Sequence, residues 1–377
     1  MCSNWTVPQG ERFQSRKLEV IKSAQAMDWF EKLTGFTEST GVAGYEKTRQ
    51  RLEVDGSRLK SLVNGRSYGV GELELVSLHA LRERAAAAAP NGRRSTLRIV
   101  SGGVRPLHAA QEYRGALFQV ASQFNLLEMM DENVIPEHGV TIYNRDPTQG
   151  PACAIAAGAA TIYRNYFAPV RGSVGQTKQR QIDGFSDLGA AVAREIGKAS
   201  ESLWTMRNGY AMFTSNGVDS MSAHIRTLDE SARDELRRRL QIGLHWDVEV
   251  TDALTLPGPT VSQAFCSALP VSYNNRTGTR GADWKPMASL VLEAAYEATL
   301  WAAAINLQRG SSSTVLLTLV GGGVFGNDVG WIRSAMRRAI ERVDGYGLDV
   351  VLVTLQVPSV DWQQWVNEFH AGGGDES

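Results

Sequence analysis

The sequence predicts an α/β fold in which a largely parallel or mixed sheet is covered by helices on both faces. From Thr96 onward, short apolar strands alternate with helical segments, which is the order of elements in such folds. The predicted strands at residues 261–271 and 315–320 are apolar on both faces, and strands of this kind lie buried between two layers. The 377 residues are 43% hydrophobic and 21% charged, a composition typical of globular proteins.

Residues 1–95 are predicted to form an N-terminal α+β extension. Apolar residues at three- and four-residue steps indicate a helix at 17–34. Residues 52–62 and 68–78 are predicted to be short strands on either side of an Asn64-Gly65 turn. The alanine-rich segment 85–95 runs into Pro, Asn and Gly, which indicates a helix end followed by a linker.

Residues 96–368 form the second predicted domain, and 369–377 are interpreted as a disordered tail. Its strands are expected at 97–100, 116–121, 210–214, 261–271, 315–320 and 350–355. Its helices are expected at 152–167, 188–203, 231–240, 288–307 and 330–343. Pro151 favours a helix start because its fixed φ suits the first helical position. The many charges of 231–240 indicate a solvated helix face.

Bulk properties argue against several classes of function. The formal net charge of -1 provides no basic field to attract nucleic acid or a membrane surface. Cys2, Cys153 and Cys266 cannot form a disulfide framework, and the six histidines show no metal-ligand spacing, so neither a metal nor a cofactor is predicted. The N-terminus lacks the pattern of a secretory signal, and no apolar run approaches the length of a membrane span. We expect a cytoplasmic protein.

The strongest functional motif is a glycine-rich loop between the predicted strand at 315–320 and the predicted helix at 330–343. The loop consists of Gly321, Gly322, Gly323, Val324, Phe325, Gly326 and Asn327. Glycines let a ligand approach the backbone closely, and the N–H groups of such a loop suit an anion. A tight turn without a ligand is the alternative, although three adjacent glycines exceed what a turn needs. Phe325 is expected either to cover a sugar or base or to lie in the core.

Two further loops are expected at the same edge of the sheet, since ligands of open α/β sheets bind beyond the carboxyl ends of the strands. One follows the strand at 116–121 and offers the amides of Gln123 and Asn125, which suit ribose hydroxyls or instead cap the strand end.

The other loop, residues 143–153, leads into the helix at 152–167 and contains Asp146. Its candidate ligand-binding residues are Thr148, Gln149, Gly150, Ala152 and Cys153. Free N–H groups at the start of this helix would face a phosphate, whereas Asp146 and Thr148 could simply cap the helix.

Other polar side chains are assigned ordinary structural roles. Cys153 at the predicted helix N-terminus could have a lowered pKa, but a small packing residue is the preferred interpretation. An acidic loop is interpreted as solvated surface rather than as an acid-base pair. It contains Glu128, Asp131, Glu132 and Glu137.

The order of these motifs resembles that of a macrodomain, the ADP-ribose-binding three-layer α/β/α fold. Residues 97–104 are similar to the family's first strand and turn, and 116–122 resemble its strand AIVNAAN. Residues 149–158 resemble the small-residue loop and helix that follow. Residues 261–270 are similar to the strand ending HTVGP, and 290–303 resemble the helix that comes next. Residues 315–326 resemble the second phosphate loop, STGVFG, and 348–355 resemble the last strand.

The chain departs from the family pattern at several places. The family usually has an adenine-contacting aspartate where Gly103 stands, and the asparagine that closes NAAN aligns with Ser122, close to Asn125. Hydrolytic members often place an acidic residue in the first glycine-rich loop. The corresponding place here lies near Gly150, with Asp146 several residues earlier. Compared with the family, residues 168–255 resemble a large insertion, or a divergent strand with helices.

The resemblance implies that the protein binds ADP-ribose or a related NAD-derived nucleotide, with the two glycine loops holding the diphosphate. As one alternative it implies an ADP-ribosylhydrolase, in which a phosphate oxygen, Asn125 or Asp146 positions the attacking water. The second alternative is a non-catalytic reader of ADP-ribosylated partners or of a nucleotide signal, because no clear acid-base residue is evident. The third is a scaffold with a degenerate pocket. The expected partner is therefore ADP-ribose or an ADP-ribosylated macromolecule.

Overall fold

The computed structural model describes residues 27–87, 90–276 and 278–371. Its strands are β1 Leu52–Asp55, β2 Arg58–Ser61, β3 Ser67–Gly69, β4 Glu72–Ser77, β5 Thr96–Ser101, β6 Leu117–Ala121, β7 Pro169–Val170, β8 Ser173–Val174, β9 Trp204–Arg207, β10 Tyr210–Phe213, β11 Gln241–Glu249, β12 Thr260–Cys266, β13 Thr314–Leu317 and β14 Asp349–Thr354. Its α-helices are α1 Trp29–Thr34, α2 Val42–Arg49, α3 Leu78–Ala86, α4 Val104–Ala109, α5 Gln149–Ala156, α6 Gly158–Tyr166, α7 Ser186–Glu195, α8 Ser200–Leu203, α9 Ser215–Thr227, α10 Glu230–Arg237, α11 Val271–Arg276, α12 Lys285–Gln308, α13 Val329–Arg342 and α14 Val360–Ala371.

A seven-stranded mixed sheet forms the centre of the fold, in the order β4-β11-β12-β6-β13-β14-β5. The last five strands in this order run parallel, and β11 is antiparallel to both of its neighbours. Successive side chains of a strand point to opposite faces, so Val315 and Leu317 lie in one core and Leu316 in the other. Residues of α3, α12 and α13 cover the first face, and residues of α4, α5 and α6 cover the second. The predicted three-layer α/β/α class is confirmed.

Helix α12 is the central helix of the first layer. Within the described part of the chain, it is the one helix long and apolar enough to cross a membrane by length and composition, so the expectation from the sequence was too strict. However, 78% of its apolar window is buried inside the protein. The Tyr296 hydroxyl donates to the Thr318 carbonyl at 2.7 Å, which ties the helix to the end of β13. These contacts are those of a core helix.

The predicted helix at 152–167 is two helices, α5 and α6, separated at Ala157. Ala157 leaves the helical region, and the Gly158 N–H then donates to the Thr251 hydroxyl at 2.8 Å. Helix α5 also begins earlier than predicted, at Gln149, so Pro151 is its third residue. The predicted helix at 188–203 is likewise divided, into α7 and α8. In both cases a tertiary contact or a local break interrupts a continuous helical pattern.

The central sheet crosses the boundary predicted at residue 95. Strand β4, which belongs to the predicted N-terminal extension, is an edge strand of the sheet and pairs with β11. Strand β11 was not predicted at all, and it lies in the segment 168–255 interpreted as an insertion. Its nine residues include Gly243, His245 and Asp247, which mask the apolar pattern of the strand. The chain therefore does not divide into an extension and a self-contained second domain.

Smaller predictions also need correction. Helix α1 begins at Trp29, after Asp28 as its N-cap, and residues 17–26 of the predicted helix lie outside the described residues. Residues 369–371 of the predicted disordered tail belong to α14, and 372–377 lie outside the described residues. The expected turn at Asn64-Gly65 is confirmed, because β2 and β3 pair on either side of it.

Helix α10 is not the purely solvated helix that its charges indicated. Arg237 is 3% exposed and donates to Glu293 of α12 at 2.7 Å. Asp234 accepts from Arg82 of α3 at 2.6 Å. The charges on this face form ion pairs that join three helices.

Candidate functional site

A cleft of about 570 Å³ opens at the carboxyl ends of β6, β12, β13 and β14. We call it the central cleft. It is lined by residues 121–123, 128–130, 146, 148–151, 319–325 and 353–359, together with Tyr210, Ala268, Tyr273 and Trp362. Its volume lies within the range of about 300–1,000 Å³ that is usual for small-molecule sites. The predicted meeting of three loops at one sheet edge is therefore present in the structure.

The loop after β13 presents backbone N–H groups to the central cleft. Among the described residues, no group accepts a hydrogen bond from the N–H of Gly321, Gly323, Val324 or Phe325. The loop is braced from behind, because the Asn327 side chain donates to the Leu269 carbonyl at 2.9 Å. Free N–H groups of consecutive residues are suited to an anion, whose binding here stays a prediction.

Two glycines of this loop meet steric requirements of the fold. Gly321 has a φ of +76°, and a Cβ there would lie 2.4 Å from the Ala268 side chain. A Cβ on Gly326 would lie 2.0 Å from the Ser272 hydroxyl. Gly326 and Asn327 do not line the cleft, so their role is to shape the loop rather than to contact a ligand.

The start of α5 faces the same space. Among the described residues, no group accepts from the N–H of Gln149 or Gly150, and both residues line the cleft with Thr148. Ala152 and Cys153, also predicted as ligand-binding, do not line it. The Ala152 N–H donates to the Thr148 carbonyl at 3.3 Å. Two of the predicted residues therefore lie away from the cleft, because α5 begins at Gln149, and the binding of an anion here stays a prediction.

Cys153 is a packing residue. It is fully buried, and burial raises the pKa of its thiol rather than lowering it. The side chain lies in the core between α5 and the sheet.

Phe325 packs in the core and also lines the central cleft, so its contact with a sugar or base stays a prediction. It is 8% exposed and contacts Tyr210 and Tyr273, with ring centroids 5.4 Å and 5.7 Å away. All three rings line the central cleft. The two tyrosines were not predicted, since they come from β10 and α11, which are distant in sequence. Trp362 of α14 adds a further ring to the lining.

The two predicted catalytic residues have different positions. Asp146 lines the central cleft, and one of its carboxylate oxygens accepts from the Thr148 N–H at 2.9 Å. Asn125 is fully buried behind the cleft and does not line it. Its amide donates to Gln181 at 2.8 Å and its oxygen accepts from the Leu127 N–H at 3.1 Å. The prediction for Asn125 as a water-positioning residue is therefore wrong: its hydrogen bonds hold the loop after β6.

Gln123 lines the cleft as predicted. Its side-chain oxygen accepts from the Met129 N–H at 2.7 Å. The amide therefore contributes to the cleft wall and holds the backbone next to Glu128.

Glu128 was expected on the solvated surface, but it is buried in the wall of the cleft. It is 1% exposed and lines the central cleft. Neither of its carboxylate oxygens has a hydrogen-bond partner among the described residues. The nearest cation is the buried Arg164, whose Nη2 lies 3.6 Å from Oε1. Burial raises the pKa of this carboxyl to about 7, and Arg164 opposes part of that rise.

A signal for Glu128 exists in the sequence. The residue stands in the run Leu126-Leu127-Glu128-Met129-Met130, where a single carboxylate interrupts apolar side chains. A buried acid with a shifted pKa marks a functional-site candidate. Gly150 makes room for it, since a Cβ on Gly150 would lie 3.3 Å from the Glu128 Cγ.

The structure offers no obvious metal centre. Within residues 27–87, 90–276 and 278–371, no group of three His, Cys, Asp or Glu side chains could hold a metal ion. The prediction that the protein needs no metal or cofactor stays a prediction.

The chain was compared with known proteins. No protein-family model and no curated protein sequence matches it. Among solved structures, it is similar to poly(ADP-ribose) glycohydrolase from Deinococcus radiodurans in complex with ADP-ribose, with a TM-score of 0.42, 12% identity and coverage of 81% of this chain and 95% of that chain. It is also similar to poly(ADP-ribose) glycohydrolase from Thermomonospora curvata, with a TM-score of 0.41, 13% identity and coverage of 87% and 96%. The similar structures have a macrodomain-like fold.

Proposed function

We propose that the protein binds ADP-ribose or a related NAD-derived nucleotide in the central cleft and hydrolyses an ADP-ribosyl linkage, with Glu128 as the acid-base group. One observation carries this proposal. A buried carboxyl without a hydrogen-bond partner among the described residues lines the same cleft as two sets of free backbone N–H groups.

The binding half of the proposal rests on the two loops. One cleft is lined by the start of α5, at Gln149 and Gly150, and by the loop from Gly321 to Phe325. Both segments have backbone N–H groups without an acceptor among the described residues. A diphosphate carries charge on both phosphoryl groups, so it suits two separate N–H cradles, one of them at a helix N-terminus. The aromatic rings of Tyr210, Tyr273 and Phe325 supply the apolar surface that a ribose or base requires.

The catalytic half rests on Glu128. Hydrolysis breaks the bond between the ribose anomeric carbon and its leaving group, while the oxygen of a water molecule bonds to that carbon. The carboxylate accepts a proton from the water, and the leaving group takes up a proton. A carboxyl with a pKa of about 7 can exchange protons in both directions near neutral pH. Such acid-base assistance is worth about 10²- to 10⁴-fold in rate.

Asp146 is the second carboxyl of the cleft and keeps the role of positioning water. One of its oxygens accepts from the Thr148 N–H, and the other, which has no donor among the described residues, can accept from a water molecule. Asn125 no longer has a part in this mechanism, because its amide is committed elsewhere.

The experiment has two stages. Calorimetry with ADP-ribose and with NAD tests binding, and no heat with either ligand would refute the whole proposal. Incubation with an ADP-ribosylated protein then tests hydrolysis by the release of ADP-ribose. Glu128→Gln should abolish most of the release, whereas Glu201→Gln, which removes an exposed carboxylate on α8, should not change it.

The reader function is the second candidate, and one contact favours it. Arg164 Nη2 lies 3.6 Å from Glu128 Oε1. For a reader, the role of this carboxylate is to neutralise the buried guanidinium and not to catalyse a reaction. In that case wild-type protein retains the ADP-ribosylated partner without releasing ADP-ribose. Glu128→Gln would then lower stability while leaving retention unchanged.

A further inference from the structure

A second cleft of about 480 Å³ lies beside the central cleft. We call it the side cleft. Three cationic side chains line it, from Arg171, Lys178 and Arg207. All three residues are exposed, and none has a carboxylate within 4 Å among the described residues. Cations that are not neutralised by a carboxylate, placed around a concave surface, favour an anionic ligand.

The remaining lining of the side cleft is suited to a nucleotide rather than to a bare ion. Amide side chains from Gln179 and Asn208 offer donors and acceptors for hydroxyls and base edges. Apolar side chains from Ile182 and Met206 supply surface for a ring. Two carboxylates, from Glu132 and Asp183, also line it and are outnumbered by the three cations; Asp183 accepts from two backbone N–H groups of the turn into α7.

The position of Arg171 supports a role for its side chain. It occupies the first turn position between β7 and β8, with a φ of +48°, followed by Gly172 with a φ of +73°. Two-residue turns with both φ values positive favour asparagine or glycine at this position. The equivalent turn between β9 and β10 has Asn208 there, with the same φ of +48°. Arginine is a costlier choice for this backbone, so the turn itself does not explain it.

The two clefts share a wall. Residues 128–130 line the central cleft, and Glu132 and Asn133 of the same loop line the side cleft. The turn from β9 to β10 is the other part of the wall. Arg207 and Asn208 hold the wall together by donating to the Asn133 side chain at 2.7 Å and to the Glu132 carbonyl at 2.8 Å.

We propose that the side cleft is a second ligand site, which binds the diphosphate of a nucleotide through Arg171 and Lys178. This site does not depend on the function proposed for the central cleft. The nucleotide is either a free molecule or a second unit joined to the ligand of the central cleft, and both sources present the same diphosphate.

The test isolates the side cleft by closing the central one. Gly323→Trp places an indole in the central cleft, where a Cβ meets no atom within 4 Å. Calorimetry of this variant with ADP should still show one site. Adding Arg171→Gln and Lys178→Gln should weaken ADP at least about tenfold, because two charge-assisted contacts are lost. The affinity for ADP should also become less sensitive to salt, because two charge–charge contacts that salt screens are lost.

A matched control removes the same charge elsewhere. Lys47→Gln with Arg239→Gln changes two exposed cations outside both clefts and should leave ADP affinity unchanged. The proposal is overturned if Gly323→Trp protein binds no ADP, or if the Arg171 and Lys178 substitutions weaken ADP no more than the control pair does.

The source of the nucleotide is decided with wild-type protein. Two ADP-ribose units joined in one molecule should bind at least about tenfold more tightly than one unit if the second unit reaches the side cleft. Equal affinities, together with ADP binding to the Gly323→Trp protein, assign the site to a free nucleotide. A failure of ADP-ribose to bind the central cleft would refute the proposed function and leave this test intact.

Discussion

Replacing Glu128 by glutamine should remove a pH dependence from the stability of this protein. Burial raises the pKa of the Glu128 carboxyl from 4.5 to about 7. The folded state therefore holds this proton between pH 4.5 and about 7, where the unfolded state has released it. The free energy of unfolding must then fall as pH rises through that interval. A shift of roughly 2.5 pH units corresponds to about 3 kcal/mol, at 1.36 kcal/mol per unit.

The measurement is chemical denaturation of wild type and Glu128→Gln at several pH values from 4.5 to 7.5. Glutamine does not titrate, so the difference between the two curves should change by about 3 kcal/mol, with the wild type losing stability as pH rises. Only the pH dependence of the difference in unfolding free energy reports the raised pKa, because glutamine also removes the carboxyl group near Arg164 at every pH. Glu201→Gln should give a curve parallel to wild type. Parallel curves for wild type and Glu128→Gln would refute the assignment of a raised pKa.

Three further predictions follow from the described contacts. Arg164→Met removes the cation near Glu128, so the pKa of that carboxyl should rise further. The pH profile of ADP-ribose release should then move to higher pH, and an unmoved profile contradicts the coupling between the two side chains. Gly150→Ala should lower the free energy of unfolding by about 1–3 kcal/mol, since its Cβ would lie 2.0 Å from a carbonyl oxygen at the end of β6. The control Gly323→Ala has open space around its Cβ, so it should unfold like wild type in the same thermal or chemical denaturation. Cys153 should resist alkylation in the native protein at pH 8 and react in urea, as mapped by mass spectrometry, because burial raises the pKa of its thiol; rapid native labelling would contradict its buried position.

Local patterns in the sequence determined much of the architecture. Strands β5, β6, β13 and β14 were predicted within one or two residues at most ends, because short, mainly apolar segments leave few alternatives to a buried strand. The loop from Gly321 to Phe325 could also be placed at a ligand site, since the carboxyl ends of parallel strands meet at one edge of the sheet. These conclusions depend on neighbouring residues and on general rules of sheet topology.

Local patterns failed where a contact from a distant segment decides the outcome. Strand β11 contains polar residues that are buried only because β4 and β12 flank it. Asn125 was a reasonable candidate by position, but Gln181 of a remote loop takes its amide. Cys153 stood near a helix start by pattern, and the earlier start of α5 placed it in the core.

The same distinction applies to the chemistry of the cleft. By itself the sequence determined that two glycine-rich loops follow two strands of one sheet, and hence that an anion could bind between them. Only the tertiary structure decided that Glu128 lies in that cleft, without a hydrogen-bond partner among the described residues and 3.6 Å from Arg164. The pKa of a carboxyl depends on its burial and on the charges around it, and both are set by segments that meet only when the chain has folded.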